Sequence, residues 1–534
     1  MTSAPPSYAH GTSSVPLLGE TIGANLRRTA SRVPHSDALV VRHQRARFTY
    51  EQLDRAVDEV AAGLLGLGLK PGDRLALWSP NCAEWVLLQY ATARAGVVLV
   101  NVNPAYRTSE LAFVLKQSGA RVLVSAPAFK TSDYAAMIAE VHPALPALEK
   151  VIFLGPQLEA LRAVEPALQF DDAINIQYTS GTTGFPKGAT LSHHNILNNG
   201  YFIGERCRYT EQDRVCLPVP FYHCFGMVLG NLALTTHGAC IVVPSPSFEP
   251  RAALEAVQAE RCTGLYGVPT MFIAELELPD FDKYDLSTLR TGIMAGSPCP
   301  VEVMKQVVTR MHCTEMTICY GMTETSPVST QTEVTDPLER RVGSVGRVHP
   351  HVEVKIIDPN TGQVMPRGEK GELLTRGYSV MLGYWDDPAR TAEAIDAAGW
   401  MHTGDLATMD AEGFCNIVGR SKDMIIRGGE NVYPREIEEY LYGHPQIADV
   451  QVIGVPDPKY GEEICACVKR REESALTVEQ VKEFCRGRIA HYKVPRYVLF
   501  VDEFPMTITG KIQKYRLREQ AREQLKLAET GVTA

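Results

Sequence analysis

The sequence has no run of about 20 consecutive apolar residues, the length that a membrane-spanning helix needs. It also has no excess of basic residues, because 53 Lys and Arg stand against 62 Asp and Glu and the net charge is −9. Proteins that bind nucleic acid usually carry a basic surface. We therefore expect neither a membrane span nor a nucleic-acid partner, and a bound anion must be held by local donors.

Closely spaced cysteines are almost absent, although the chain has 13 cysteines. No two of them have the C-x-x-C spacing of a zinc or redox site, and only Cys465 and Cys467 lie near each other. We interpret the cysteines as buried, reduced thiols of a cytoplasmic protein. Residues 1–19 lack the apolar segment of a secretory signal and are rich in Ser, Pro and Gly, which predicts a disordered tail.

Helix and strand signals alternate through residues 49–125. Thr49 and Gln52 form a capping box ahead of an apolar helical pattern. Strand patterns over 74–78 and 97–100 flank a helical pattern over 83–95. This alternation predicts an α/β fold in which a large N-terminal domain, residues 20–420, is built on sheets rich in parallel strands.

The last hundred residues have a different pattern. Pro434 fits the first turn of a helix, residues 450–454 alternate as a strand does, and Thr477 with Gln480 forms a second capping box. We predict a small α+β C-terminal domain over residues 421–534, with the boundary in the polar stretch 419–423.

The stretch Tyr178–Gly188 reads YTSGTTGFPKG and follows a strand-like segment. Glycines let consecutive N–H groups converge on an anion, and the hydroxyls and Lys187 add further donors. The loop is not a Walker A motif, because Pro186 precedes the lysine and Gly188 follows it. Taken alone, the stretch fits either a phosphate cradle or a flexible linker.

Four further motifs follow in order, namely Tyr320–Glu324 (YGMTE), Thr403–Asp405 (TGD), Gly419–Asp423 (GRSKD) and Thr509–Lys511 (TGK). Together with the loop they resemble the adenylate-forming superfamily of acyl-CoA synthetases, luciferases and peptide-synthetase adenylation domains. Within it, the stretches 221–226, 419–431 and 507–513 are most similar to medium-chain fatty acyl-CoA synthetases.

The resemblance implies a ligase of fatty acid metabolism that uses ATP, Mg²⁺ and coenzyme A. A short- to medium-chain carboxylic acid would first become acyl-AMP, with loss of pyrophosphate, and then pass to the CoA thiol. The C-terminal domain would be mobile and rotate between the two steps. A homodimer is a candidate assembly.

The resemblance also assigns the nucleotide-binding residues. The phosphates would contact the loop and its lysine, adenine would stack on Tyr320 opposite the Gly296 backbone, and Asp405 with Arg420 would hold the ribose. The full expected set is Thr179, Ser180, Gly181, Thr182, Thr183, Gly184, Lys187, Gly296, Ser297, Pro298, Tyr320, Gly321, Met322, Thr323, Asp405, Arg420, Lys422, Gly429 and Lys511.

Four residues are the expected catalytic ones. Lys511 would place positive charge between the carboxylate and the α-phosphate, and Glu324 with Thr183 would bind the metal ion. His223 would lie at the gate of the acyl tunnel, or else be a packed core histidine. Lys422 would be the hinge between the domains.

Three alternatives remain open from the residues. The chain could take aryl or branched acids, or it could stop at acyl-AMP and deliver it to a carrier protein. It could also be a nucleotide-binding module without turnover. The resemblance also disfavours an amino-acid substrate, because peptide-synthetase adenylation domains usually have an aspartate near this motif to bind the α-amine, and none lies between Pro218 and Leu234.

Overall fold

The computed structural model describes residues 4–154, 168–179, 186–297, 299–420, 423–427, 430–471, 474–506 and 512–527. Four parts of the chain form its main sheets, and the elements are numbered along the chain. No helix in these ranges is both long enough and apolar enough to pass through a bilayer.

The first part of the chain contributes most of a largely parallel sheet covered by helices, and five of its strands pair outside that sheet. Its strands are β1 (Tyr8–His10), β2 (Asp37–Val41), β3 (Ala46–Thr49), β4 (Arg74–Trp78), β5 (Val98–Asn101), β6 (Val122–Ser125), β7 (Ala128–Phe129), β8 (Ser132–Asp133), β9 (Lys150–Phe153), β10 (Ala173–Thr179) and β11 (Lys187–Ser192). Its helices are α1 (Ile22–Arg32), α2 (Tyr50–Gly66), α3 (Ala83–Ala95), α4 (Thr108–Ser118), α5 (Tyr134–Val141) and α6 (His193–Cys207).

The second part builds a neighbouring sheet with the same layered design. Its strands are β12 (Arg214–Cys216), β13 (Cys240–Val243), β14 (Gly264–Gly267), β15 (Thr291–Met294), β16 (Glu315–Gly321), β17 (Val328–Gln331) and β18 (Arg347–Val348). Its helices are α7 (Ala233–His237), α8 (Pro250–Glu260), α9 (Pro269–Leu276), α10 (Val301–Arg310) and α11 (Leu338–Gly343), and a π-helix spans Phe225–Leu232.

The third and fourth parts are richer in antiparallel pairs. The third holds β19 (Val352–Ile357), β20 (Gly371–Gly377), β21 (Gly383–Tyr384), α12 (Pro388–Ala394), β22 (Met401–Met409) and β23 (Cys415–Arg420). The fourth holds β24 (Ile425–Arg427), β25 (Glu430–Val432), α13 (Pro434–Tyr442), β26 (Ile447–Asp457), β27 (Gly461–Arg470), α14 (Val478–Cys485), β28 (Tyr497–Phe500) and α15 (Lys514–Leu525).

Strand order explains the architecture. One sheet runs β21-β11-β10-β5-β4-β6-β9 and another runs β18-β17-β16-β15-β14-β12-β13-β2-β3, and in both the central strands are parallel. A third sheet, β1-β19-β20-β22-β23, is antiparallel. The α/β prediction with a smaller α+β C-terminal part is therefore confirmed.

The chain passes from the third sheet to the C-terminal one between Arg420 and Ile425. The two parts touch beside this passage, where an Arg435 guanidinium nitrogen donates to the carbonyl of Ile417 at 2.6 Å. The Lys370 ammonium lies 3.6 Å from a Glu436 carboxylate oxygen. The boundary itself, and the mobility of the C-terminal part, stay predictions.

All 13 cysteines are free thiols with buried side chains, as the sequence indicates. The two capping boxes are also confirmed, at the starts of α2 and α14.

Helix α3 has the expected bounds. It is buried almost all round because it packs between α1 and α2 on one side and the sheet on the other.

The expected disorder of residues 1–19 is wrong for the described residues 4–19. Strand β1 pairs antiparallel with β19, more than 300 positions away in the sequence. Ser7 is fully buried, its N–H donates to the carbonyl of Met365 at 2.7 Å, and its hydroxyl donates to that of Pro366 at 2.9 Å. The segment adds an edge strand to the third sheet, and partners this distant leave no local sequence signal.

We predict that deleting residues 2–11 lowers the melting temperature, because the β1 ladder and the Ser7 bonds are lost together. At about 0.5–1.5 kcal/mol of net stabilisation for each hydrogen bond, the loss should be on the order of several kcal/mol. Thermal unfolding followed by circular dichroism measures it. Deletion of residues 2–4 is the control, since it leaves β1 in place. Equal melting temperatures for the two deletions would show that β1 does not stabilise the sheet.

Candidate active site

Strands β10 and β11 form a hairpin that brackets the glycine-rich loop. Thr179 pairs with Lys187 across the hairpin, and the Thr179 hydroxyl donates to the Lys187 carbonyl at 3.4 Å. The hairpin thus brings the two described ends of the motif together. The expected phosphate ligands between them lie outside the described residues, namely Ser180, Gly181, Thr182, Thr183 and Gly184.

A buried carboxylate joins two sheets at the expected ribose site. Asp405 on β22 is only 6% exposed. Its Oδ2 accepts from the Tyr320 hydroxyl at 2.6 Å, and its Oδ1 accepts from Nε of Arg420 at 3.0 Å. Asp405 and Arg420 are direct partners across the β22–β23 ladder, so the backbone register itself brings them together.

The pairing also affects the ionisation of Tyr320. Burial and the adjacent Asp405 carboxylate raise the pKa of the Tyr320 phenol, so the phenol remains a donor at neutral pH. The Asp405 carboxylate is therefore held between a phenol donor, Tyr320, and a cation, Arg420. Such a carboxylate can accept further bonds from neighbouring hydroxyls.

The expected walls of the base pocket lie at one sheet edge. Strands β15 and β16 are parallel neighbours, so the residues after their carboxyl ends come out on the same side. Gly296 and Ser297 follow β15, and Tyr320 and Gly321 end β16. Gly296 has a φ of +94°, a conformation that a side chain would strain. The third wall residue, Pro298, lies outside the described residues.

Gly321 is required by close packing of the backbone. A Cβ atom there would lie 1.7 Å from the carbonyl oxygen of Pro327. The next residues turn sharply, because the Met322 N–H donates to the Thr325 hydroxyl at 3.1 Å and residues 323–325 form a short 3-10 turn. Thr323 in this turn is buried. The glycine thus lets the chain reverse just after β16 and hold Glu324 next to the sheet.

Glu324 is the buried acid of this turn, with only 6% of its surface exposed. Its Oε1 accepts from the Tyr384 hydroxyl at 2.8 Å, and its carbonyl accepts from the Met381 N–H at 2.9 Å. Its second carboxylate oxygen, Oε2, has no hydrogen bond to any other described residue. One oxygen is thus oriented by the protein and the other is left for a ligand.

Glu324 suits Mg²⁺, which prefers carboxylate oxygen. The described residues contain no group of three or more His, Cys, Asp or Glu side chains that could hold a metal ion. Mg²⁺ is commonly bound by one or two carboxylates together with substrate phosphates. The single oriented carboxylate therefore fits an ion that arrives with a nucleotide.

Tyr384 connects Glu324 to the hairpin. The ammonium of Lys187 lies 5.1 Å from the centroid of the Tyr384 ring, within the range of a cation–π contact. Two sets of contacts, Lys187–Tyr384–Glu324 and Arg420–Asp405–Tyr320, thus converge on the stretch 320–324. Four of the five sequence motifs are therefore in contact there, the exception being Thr509–Lys511.

His223 lies in a turn that leads into the π-helix. Its Nδ1 accepts from the Phe225 N–H at 3.1 Å, and its carbonyl accepts from the N–H groups of Gly226 and Met227, each at 3.0 Å. The side chain is half-buried, unlike the fully buried His193. π-Helices are rare and often occur at functional sites.

A buried amide network ties the His223 turn to the hairpin. Gln177, two residues before Thr179 on β10, donates its side-chain N–H to the carbonyl of Tyr222. Its Oε1 accepts from the Asn101 amide at 2.8 Å, and that amide also reaches the Tyr222 carbonyl at 3.2 Å. The loop that carries His223 is therefore fixed to the strand that leads into the glycine-rich loop.

A small, mostly apolar cleft opens beside the same turn. Its lining includes Pro80, Pro104, Pro218, Pro220, Tyr222 and Phe248. These residues follow the carboxyl ends of strands in two different sheets, where ligands of α/β folds commonly bind.

Three further expected residues lie outside the described part of the chain, namely Lys422, Gly429 and Lys511. Conversely, two residues of the site were not predicted. Gln177 reads as an ordinary strand residue, and Tyr384 lies in a strand of two residues that has no periodicity. Only the long-range pairing of β21 with β11 brings Tyr384 to the site.

A family model described as AMP-binding enzyme matches residues 26–385, and a second, described as AMP-binding enzyme C-terminal domain, matches residues 436–511. Among curated proteins, a mitochondrial medium-chain acyl-CoA ligase, ACSF2, of Bos taurus is 46% identical over 98% of this chain and 91% of its own length.

Two solved structures have a similar overall fold. The anthranilate CoA ligase AuaEII in complex with anthranoyl-AMP superposes with a TM-score of 0.87, at 27% identity over 96% of this chain and 99% of that one. ATP-bound MatB from Rhodopseudomonas palustris gives 0.85, at 30% identity over 94% and 99%.

We predict that Gln177→Met lowers the free energy of unfolding by about 1–3 kcal/mol, because a buried amide and a buried carbonyl lose their hydrogen bonds to it. Chemical denaturation gives the value. Gln363→Met, at an exposed position, is the matched control and should stay within about 0.5 kcal/mol of the parent. A loss no larger than that of the control would mean that the amide network does not hold the His223 turn.

Proposed function

We infer the reaction of this chain from its membership of the AMP-binding enzyme family. The chain is an ATP-dependent acyl-CoA synthetase, that is, an AMP-forming acid–thiol ligase acting on short- to medium-chain fatty acids. The observation that carries this proposal is the similarity over nearly the whole chain to a protein named medium-chain acyl-CoA ligase. The Tyr320–Asp405–Arg420 and Glu324–Tyr384–Lys187 contacts support it.

In the first step, a carboxylate oxygen attacks the α-phosphorus of ATP. The bond from that phosphorus to the bridging oxygen breaks, so acyl-AMP forms and pyrophosphate leaves. Two anions must meet, and the barrier falls if fixed positive charge and N–H donors face the phosphates. We assign this role to Lys187, Lys511 and the glycine-rich loop of residues 180–184, with Thr179 at its edge.

The nucleotide is held by residues of the sheet edge. The Asp405 carboxylate accepts from the ribose hydroxyls, and the hydrogen bond from Arg420 orients that carboxylate. Tyr320 packs on the base, with the backbone of Gly296 and Ser297 opposite and with Pro298 beside them. Met322 and Thr323 form the turn under the phosphates.

A bound Mg²⁺ supplies positive charge that offsets the charge of the phosphate oxygens. Glu324 would hold it through Oε2, and the Thr183 hydroxyl would be a second oxygen ligand. MatB, one of the structural neighbours, has been solved with ATP bound.

In the second step, the CoA thiolate attacks the acyl carbon and AMP leaves. Lys511 must withdraw to give the thiol access, and we assign the hinge to Lys422 and the approach of the pantetheine arm to the Gly429 loop. His223 stands at the gate between the acyl pocket and the nucleotide. The apolar cleft lined by Pro220 and Tyr222 lies next to the turn that carries His223.

An aryl-acid ligase is the second candidate, and the likeness to an anthranilate CoA ligase favours it. The preference for acyl chain length depends on the depth of the acyl pocket, because each buried methylene contributes about 0.8 kcal/mol to binding.

The bovine relative is named as mitochondrial. A cytoplasmic location and a homodimeric assembly stay predictions for this chain.

We expect pyrophosphate release with straight-chain acids of short to medium length, measured with a coupled assay on a panel of aliphatic, branched and aromatic acids. AMP should accumulate at multiple turnovers only when CoA is present. Best turnover with aromatic acids would instead establish the second candidate, and a single burst of pyrophosphate that CoA does not extend would favour delivery to a carrier. The absence of pyrophosphate release with every acid would refute the proposed reaction.

We also expect Lys511→Ala to slow acyl-AMP formation by a factor of about 100 or more, because fixed charge at a transition state contributes on the order of 3 kcal/mol. Thioester formation from supplied acyl-AMP should change far less. Rapid quench of each half-reaction separates the two. Lys514→Ala is the control, since Lys514 binds Glu438 at 2.6 Å within the C-terminal part. Equal slowing of both half-reactions would contradict the role given to Lys511.

A further inference from the structure

Tyr384 occupies a backbone position fixed from three sides. Strand β21 pairs antiparallel with β11, with Tyr384 opposite Ala189. The next N–H, of Trp385, donates to the Gly188 carbonyl at 2.7 Å, and the Tyr384 N–H donates to the Thr391 hydroxyl at 2.9 Å. The side chain is 8% exposed and so has little freedom to move. Its ring and hydroxyl are therefore held at a set place next to the hairpin.

The Tyr384 hydroxyl forms a hydrogen bond with an acidic side chain. It donates to Oε1 of Glu324 at 2.8 Å, in a region where little water reaches the carboxylate. A hydrogen bond to a charged group is stronger than one between neutral groups. The bond therefore fixes the orientation of the carboxylate.

The ring of Tyr384 makes a cation–π contact. The Lys187 ammonium lies 5.1 Å from the ring centroid. Lys187 and Glu324 have opposite charges and contact the same side chain, yet they form no ion pair with each other in the described part of the chain. A direct ion pair between Lys187 and Glu324 would occupy both groups, and neither would then be available to a nucleotide. The tyrosine contacts both and leaves each with capacity for a ligand.

We propose that Tyr384 is a positioning residue that holds Glu324 and Lys187 apart and aims both at the metal-bound phosphates of the nucleotide. The inference rests on the proposed function and adds a residue to it. The hydroxyl fixes Oε1, which would leave Oε2 to hold the ion, and the ring contacts the ammonium. Neither contact takes part in bond making, so the effect must appear in Mg²⁺-dependent nucleotide binding.

The test compares Tyr384→Phe with Tyr384→Leu by isothermal titration calorimetry. The probes are a non-hydrolysable ATP analogue, over a range of Mg²⁺ concentrations, and AMP without Mg²⁺. Tyr384→Phe should weaken Mg²⁺-dependent binding of the analogue by about tenfold, the loss expected for one hydrogen bond to a charge. It should change AMP affinity by less than about threefold. Tyr384→Leu should weaken analogue binding further, because the ring contact with Lys187 is also lost.

Two controls separate this role from a structural one. Tyr378→Phe removes a hydroxyl that has no hydrogen-bond partner among the described residues, and it should leave both affinities unchanged. In a Glu324→Gln background, Tyr384→Phe should have little additional effect, because the bond it removes no longer reaches a charge. This cycle remains informative if Tyr384→Leu does not fold.

Unchanged Mg²⁺ dependence in Tyr384→Phe, or effects that add fully in the double variant, would overturn the inference. Equal loss of AMP and analogue binding would also overturn it, since it would indicate a general disturbance of the pocket. These outcomes differ from failure of the proposed function, in which the unaltered protein would release no pyrophosphate with any acid.

Discussion

The arrangement of the site depends on the buried Asp405 carboxylate and the two donors that hold it. Removing a carboxylate from water is costly unless hydrogen bonds and an opposite charge compensate. Here the compensation comes from Tyr320 at 2.6 Å and Arg420 at 3.0 Å. Because Tyr320 belongs to β16 and Asp405 to β22, satisfying this one carboxylate locks two sheets together. The proposed nucleotide pocket lies where these two sheets meet.

The rest of the site is also held together by a few specific contacts between distant segments. Gly321 permits the close approach to Pro327 that turns the chain and presents Glu324. Tyr384 then links Glu324 to Lys187 on the hairpin, and Gln177 links the hairpin to the His223 turn. Most of these links use neutral donors, which lose less solvation on burial than ions do. The charged groups that remain can act on a ligand.

The sequence reveals features that depend on local chemistry. The α2 capping box, the bounds of α3 and the strand before the glycine-rich loop all follow from patterns within a few residues. Pairing between distant segments leaves no such pattern. For this reason β1 was expected to be disordered, although it is a paired strand.

Within the site, the motif residues Tyr320, Glu324 and Asp405 could be proposed from resemblance, but their mutual contacts could not. Tyr384 and Gln177 could not be found at all, since their importance lies in what they touch. Tyr384 reaches Glu324 from 60 positions away, and Gln177 reaches Tyr222 from 45. Such contacts are set by sheet order, which one sequence does not specify.

In the proposed reaction, an acid oxygen attacks the α-phosphorus of ATP at this sheet edge. A decisive test is to incubate a fatty acid labelled with ¹⁸O in both carboxylate oxygens with ATP and CoA, and to analyse the nucleotide products by mass spectrometry. We predict one ¹⁸O in the phosphoryl group of AMP and none in pyrophosphate. Unlabelled AMP, or label in a phosphate released together with ADP, would contradict it.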